Sequence, residues 1–279
     1  MKVIDFRFRP NTPDAVEGVL KSKVFGDMGK LFNVAKHLRG ESLEQIIANM
    51  DAHNVVHGVI TGRDAETTYG LPNGNMGIAA FVKQHPTRFS GIAGLDPHKG
   101  MKALDELTRM VTEHGFKGAA TDPYLAKIPA NHAKFYPIYA KCCELNVPVV
   151  ITTGPATLVA DAVMEHAAPR YIDAVATDFP ELKIVISHGC YPWVNEAIMV
   201  VHRHKNVYME CAEYEAAPFA NGYVEAANTL IGDKLMFASA HPFFDFRDRL
   251  AVSNSLPFTP EVRENVLYKN AARLLGLSV

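Results

Sequence analysis

Eight short apolar runs rich in β-branched residues punctuate the chain, near 3–9, 56–61, 89–95, 116–121, 147–152, 183–188, 206–211 and 234–239. Each is nearly continuous rather than alternating, as in strands buried on both faces of a parallel sheet. Between them lie segments of helical periodicity near 42–53, 74–85, 101–114, 132–146, 159–179, 191–204, 217–231 and 243–254, with a last helix near 260–275. Two helix starts carry local chemistry. Ser42 and Gln45 suit a capping box, in which each side chain serves the other's backbone amide. Thr259 before Pro260 suits an N-cap followed by proline in the first turn. Breakers stand at the strand exits: Gly62, Pro97, Pro123, Gly154, Gly189 and Pro242. Eight strand–helix units predict an α/β fold, a single TIM-like (β/α)8 barrel over residues 1–279. Such a barrel takes about 250 residues. The stretch 10–41 after the first strand is too long for a plain βα loop. It holds Pro10, Pro13, Gly18, Gly26, Gly29 and a mildly helical piece near 28–39. This insertion could close over the barrel mouth as a lid or pack beside the barrel as a helix; the pattern leaves both open.

Charge changes the picture by exclusion. Lys and Arg total 28 against 30 Asp and Glu, a net charge of −2, and no basic stripe stands out, so nucleic acid is not an expected partner. The apolar run at the N-terminus ends after two residues, unlike a signal peptide. No stretch approaches the roughly 18 apolar residues of a membrane helix. A cytoplasmic protein without membrane partners is expected. Cys142, Cys143, Cys190 and Cys211 show neither metal-binding nor disulfide spacing and read as reduced thiols. Exposed barrel helices would allow a homodimer.

Four stretches carry a family resemblance. They are Ile4-Asp5-Phe6-Arg7-Phe8-Arg9-Pro10, the run Val147–Gly154, the run Phe179–Gly189 with Pro192 and Trp193, and Leu235–Pro242; the tail Asn265–Gly276 adds a fifth. The chain resembles the amidohydrolase-related (type 2) family, in its aminocarboxymuconate-semialdehyde decarboxylase-like branch. The resemblance implies a distorted barrel with its site at the C-terminal mouth, and hydrolysis of lactones or amides, decarboxylation, or hydration of small acids. It also implies a divalent metal such as zinc, held by two first-strand histidines, a fifth-strand His, often a sixth-strand His, and an eighth-strand Asp. In this chain those positions read Arg7, Arg9, Thr152, His188 and Ala240. Guanidinium has no lone pair to offer a cation, and a lone His with a threonine falls short of three protein ligands. No cofactor is therefore expected.

Strand alternation puts Arg7 and Arg9 on one face. There they would grip an anionic substrate by bidentate hydrogen bonds, or form buried ion pairs with Asp122, Glu210 or Asp245. His188 is a candidate general acid or base, with Asp122 as base, orienting group or helix cap. Arg63, Tyr124, Thr152, Thr153, Glu210 and His241 are candidate substrate-binding residues. Only one of Glu210 and Cys211 can face inward, and His241 adjoins the lost Asp position rather than filling it. His53, His57, His85, His114, His202 and His204 read as solvated. The expected function is a metal-independent hydrolase acting on a small carboxylate-bearing molecule such as a lactone. The alternatives are a decarboxylase or hydratase of an unsaturated or aromatic acid, and a non-catalytic barrel that binds a metabolite or partner.

Overall fold

In a computed structural model, residues 1–22, 24, 40–159, 161–212 and 214–278 are described. Eight parallel strands follow one another in chain order: β1 (Val3–Asp5), β2 (Val55–Thr61), β3 (Phe89–Gly94), β4 (Ala119–Thr121), β5 (Val149–Thr152), β6 (Ile184–Ser187), β7 (Val207–Glu210) and β8 (Leu235–Met236). The last strand returns to the first. The Phe6 amide donates to the Phe237 carbonyl at 3.0 Å, the Arg9 amide donates to His241 at 2.9 Å, and Phe8 bridges His241 in parallel. The expected (β/α)8 barrel is the observed one.

One side chain from each strand fills the interior: Ile4, Val59, Ile92, Ala120, Val150, Val185, the partly buried Tyr208, and Met236. The final helix adds Ala271, Leu274 and Leu275 to the same cluster. A larger apolar cluster lies between the strands and the surrounding helices. Burying each such side chain stabilises the fold by about 1.5–3 kcal/mol before ordering costs. Because side chains alternate along a strand, this interior layer sets the parity of the mouth above it. Two residues beyond Val59, Ala120, Val150, Val185 and Tyr208 come Thr61, Asp122, Thr152, Ser187 and Glu210.

The capping box at Ser42 and Gln45 forms as expected and opens the helix Leu43–Ala52. Thr259 likewise accepts from the Val262 amide before Pro260–Glu264. Two strands are shorter by four residues than the apolar runs predict. The first ends at Asp5 because its carboxylate accepts from the Arg7 amide at 3.1 Å and from the Ser239 amide at 2.9 Å, which sets a turn. The eighth ends at Met236, where the Phe237 amide donates to Val266 of the last helical segment. His57, expected at the surface, is instead buried within β2, with its ring nitrogens bonded to Ser90 Oγ and the Thr87 carbonyl.

Within the insertion, Pro13–Lys21 is a helix whose Val16 and Val19 pack on Phe243, just beyond β8. Its two ends are joined by the Glu41 amide to Asn11 and by Asn11 Nδ2 to Glu41. The piece expected to be helical near 28–39 lies outside the described residues. Among the described residues no helix is long and apolar enough to cross a membrane.

Candidate functional site

The strand ends gather three arginines at the C-terminal mouth. The turn at Asp5 shifts the phase of the first strand: Ile4 and Phe6 join the interior cluster, whereas Phe8 joins the outer one. Arg7 is 1% exposed. Its Nη1 donates to Ser187 Oγ at 2.7 Å and stands 3.7 Å from Glu210 Oε1, while the Ser187 hydroxyl donates to the same Glu210 oxygen. Glu210 therefore faces in, and Cys211 packs in the outer cluster. Burial pushes the Glu210 carboxyl up, and Arg7 and the Ser187 bond oppose that shift. Ser187 was not singled out in the sequence; its parity with Val185 was the available signal.

Arg9 behaves differently. Its Nε donates to the Thr61 carbonyl at 3.2 Å, and its Nη2 is buried without a hydrogen-bond partner. Among the described residues no carboxylate lies within ion-pair distance of it. Burial first, then repulsion from Arg7 and Arg63, pushes its guanidinium well below the ordinary arginine range. Arginine gives up its proton only far above neutrality, so the cation stays and its surroundings are short of negative charge.

Arg63 leaves β2 beside β3. A Cβ on Gly94 would come within 2.3 Å of the Arg63 backbone, so this crossing requires glycine. Arg63 Nε pairs with Asp122 Oδ1 at 3.4 Å. Asp122 precedes the short helix Pro123–Ala126, yet its side chain makes no cap bond. Tyr124 is fully buried; burial drives its hydroxyl strongly upward, and Arg63, Asp122, Arg7 and Arg9 all act on it. The hydroxyls of Tyr124 and Thr152 are buried without hydrogen-bond partners.

His188 ends β6 with φ 62° and is 3% exposed. A Cβ on Gly154 would stand 2.6 Å from the His188 Cβ, so the bare glycine lets β5 and β6 close here. Burial foremost, then Arg7, Arg63 and Arg9, holds the imidazole well below its usual pKa, and it is neutral near pH 7. Thr153 braces this turn: its hydroxyl donates to the Ser187 carbonyl at 2.5 Å and accepts from the Cys190 amide at 2.9 Å.

Two expected participants lie elsewhere. The His241 ring stacks on Phe8 at 4.8 Å, meets Phe246 edge-on and bonds the Phe244 carbonyl, on the outer side of the barrel. Alternation along the exit of β8 turns it away from the arginines, and burial lowers its pKa to about 4. Asp245, a possible partner for Arg7 or Arg9, instead caps the helix Phe246–Ser255 and pairs with Arg247. Among the described residues no three His, Cys, Asp or Glu side chains are grouped to hold a metal ion.

Beside the mouth opens a cavity of about 660 Å³, bounded by Arg9, Thr61, Arg63, Phe243 and the helices Pro13–Lys21 and Asn75–Gln84.

Comparison with known proteins fits this architecture. A TIM-barrel protein of unassigned function from Bordetella bronchiseptica superposes with a TM-score of 0.85 over 99% of both chains at 27% identity. A 2,6-dihydroxybenzoate decarboxylase solved with 2,6-dihydroxybenzoate gives 0.71 at 16% identity, covering 99% of this chain and 100% of that one. Among curated sequences, a 2-keto-4-carboxy-3-hexenedioate hydratase from Sphingobium is 31% identical over 132 residues, 40% of this chain and 38% of the relative. The decarboxylase orsB of Emericella nidulans is 28% identical over 141 residues, 41% and 43% respectively. The matched segments thus span less than half the length of either curated relative. The Amidohydrolase family model matches residues 36–277. The chain, a barrel with a charged and largely buried mouth, belongs to the amidohydrolase family.

Proposed function

We propose that this chain is a lyase that decarboxylates or hydrates a small carboxylic acid without a resident metal ion. The observation that carries the reading is Arg9. Arg7, Arg9 and Arg63 each keep a buried nitrogen without a hydrogen-bond partner, but Glu210 and Asp122 pair with Arg7 and Arg63, whereas Arg9 has no described carboxylate within ion-pair distance. A partly buried cation without a counter-charge is unfavourable, and a substrate carboxylate would supply the missing charge through charge-assisted hydrogen bonds. The donor set supports metal independence: Arg7, Arg9, Thr152 and Ala240 occupy four of the positions that the resemblance assigns to ligands, and none offers nitrogen or carboxylate donors.

Lyase chemistry takes precedence over lactone hydrolysis because two curated relatives have assigned reactions of this kind, a hydratase and a decarboxylase. In decarboxylation the bond to the carboxylate carbon breaks, its electron pair stays on the substrate, carbon dioxide leaves and the substrate carbon takes up a proton. In hydration, hydroxide and a proton add across a double bond. Either path builds negative charge on the substrate, which fixed guanidinium groups stabilise. His188 is the proton carrier. It is neutral in the free enzyme chiefly because burial disfavours its charged form, and secondarily because Arg7, Arg63 and Arg9 repel it; an anion bound at Arg9 offsets part of that repulsion and raises its proton affinity on binding. Asp122 acts through Arg63 as a positioning residue. Tyr124 and Thr152 offer hydroxyls to the substrate, and Thr153 and Glu210 hold the frame.

The test is a panel of hydroxybenzoates and unsaturated di- and tricarboxylic acids offered to chelator-dialysed protein. Carbon dioxide release and loss of conjugated absorbance are followed. Turnover that persists in chelator is expected. Turnover appearing only with added manganese or zinc, or on lactones alone, would overturn the proposal.

A further inference from the structure

Arg9 and Arg63 face two spaces. They belong to the charged cluster at the mouth, where each acts on His188 and Tyr124. They also form the inner wall of the 660 Å³ lateral cavity. A carboxylate and a single ring need only a fraction of that volume, which falls within the roughly 300–1,000 Å³ of sites that enclose drug-sized ligands. The cavity's lining combines the two guanidinium groups and the carboxylate of Asp14 with a largely apolar remainder that includes Val19, Leu71, Ile78, Phe81 and Phe243.

We infer that this cavity is the binding site for the apolar body of an amphiphilic carboxylate, whose anionic head docks on Arg9 and whose hydrocarbon extends between the helices Pro13–Lys21 and Asn75–Gln84. The inference rests on the anion-binding role given to Arg9 above and adds the substrate class: an acid with an extended alkyl or arylalkyl chain. A compact polycarboxylate would leave the apolar wall uncovered and set negative charge against it. The aliphatic stem of Arg9 and the rings of Phe81 and Phe243 instead match a chain that buries apolar surface in proportion to its length.

The discriminating measurement is calorimetric titration of the full chain with straight-chain carboxylates from acetate to octanoate. Affinity should tighten about fourfold per methylene, the transfer value for burying one CH₂, until the cavity is filled. Gly77 borders the cavity, and a Cβ built on it meets nothing within 4 Å, so Gly77→Trp should fold normally and project into the space. The octanoate-to-acetate affinity ratio should then fall at least tenfold. Ala80→Trp, one helical turn further along the same wall, provides an independent block. Met199→Trp, at an exposed position on another helix, should leave the ratio as it is. Binding of all chain lengths with equal affinity would overturn the cavity assignment and leave the anion site standing. Failure of every carboxylate to bind would overturn both.

Discussion

The β6–β7 side of the barrel mouth and its β1–β2 side carry the same kind of charge and bury it in opposite ways. On the β6–β7 side, Arg7 is locked to Ser187 and Glu210. On the β1–β2 side, Arg9 touches a backbone carbonyl and lies beside a cavity, with Arg63 and its partner Asp122 close by. Arg7 and Arg9 are two residues apart just beyond the end of β1, so sequence proximity does not decide the difference. It follows from what the facing strands present: Glu210 comes inward from β7 by parity, whereas β2 offers Arg9 only the Thr61 carbonyl and a second arginine. A cation paired with an internal carboxylate works as framework, whereas one without such a partner is the carboxylate receptor proposed above.

The largest expected effect tests the proton carrier between the two sides. His188→Gln should lower turnover on the substrate found above by about 10²–10⁴, the range for one general acid–base group, with substrate binding largely kept; an unchanged kcat would remove His188 from the chemistry. Next, Arg7→Met should destabilise the fold by roughly 3–5 kcal/mol, because it strands Glu210 as a buried charge. Urea unfolding measures this, and the double variant Arg7→Met/Glu210→Leu should recover most of the loss. Arg9→Met should do the reverse: stability is kept or raised, and carboxylate affinity drops about 10–100-fold, as for loss of a charged hydrogen bond. Equal behaviour of the two arginine variants would erase the contrast. The smallest effect concerns pH. Burial lowers the native pKa of His241 from its ordinary value of about 6.5 to about 4, so between these values the unfolded chain binds a proton that the native chain refuses. Its contribution is intact above pH 6.5 and is lost as pH falls towards 4, at up to about 1.4 kcal/mol per unit. Asp5 opposes this, since burial raises its carboxyl to about 6 and the native state takes up a proton below that. The clean measurement is therefore the difference between wild type and His241→Asn across this window. A difference that does not change with pH would contradict the buried, neutral His241.

Eight apolar runs, their breakers and two capping signals were enough to predict the barrel, because each strand is buried on both faces and each helix start depends on neighbours within four residues. That Arg7, Arg9, Thr152 and Ala240 stand where the resemblance places metal ligands was read from residue identity and strand position alone. What the chain alone left open was pairing. Whether Glu210 or Cys211 faced inward, which arginine Asp122 would meet, and that Ser187 bridges Arg7 to Glu210 all depend on the relative height of neighbouring strands. The placements of His57 and His241 were misjudged or unresolved for the same reason: His57 lay inside the predicted run 56–61, but its burial depends on Thr87 and Ser90 brought up by the neighbouring strand and its approach, and His241 follows a strand that gives up its ladder early. Local sequence determined the elements because hydrogen bonding and burial act over a few residues. The assignment of each charge to a partner was decided only by tertiary structure, because a buried ion's energy depends on what distant segments bring within about 4 Å of it.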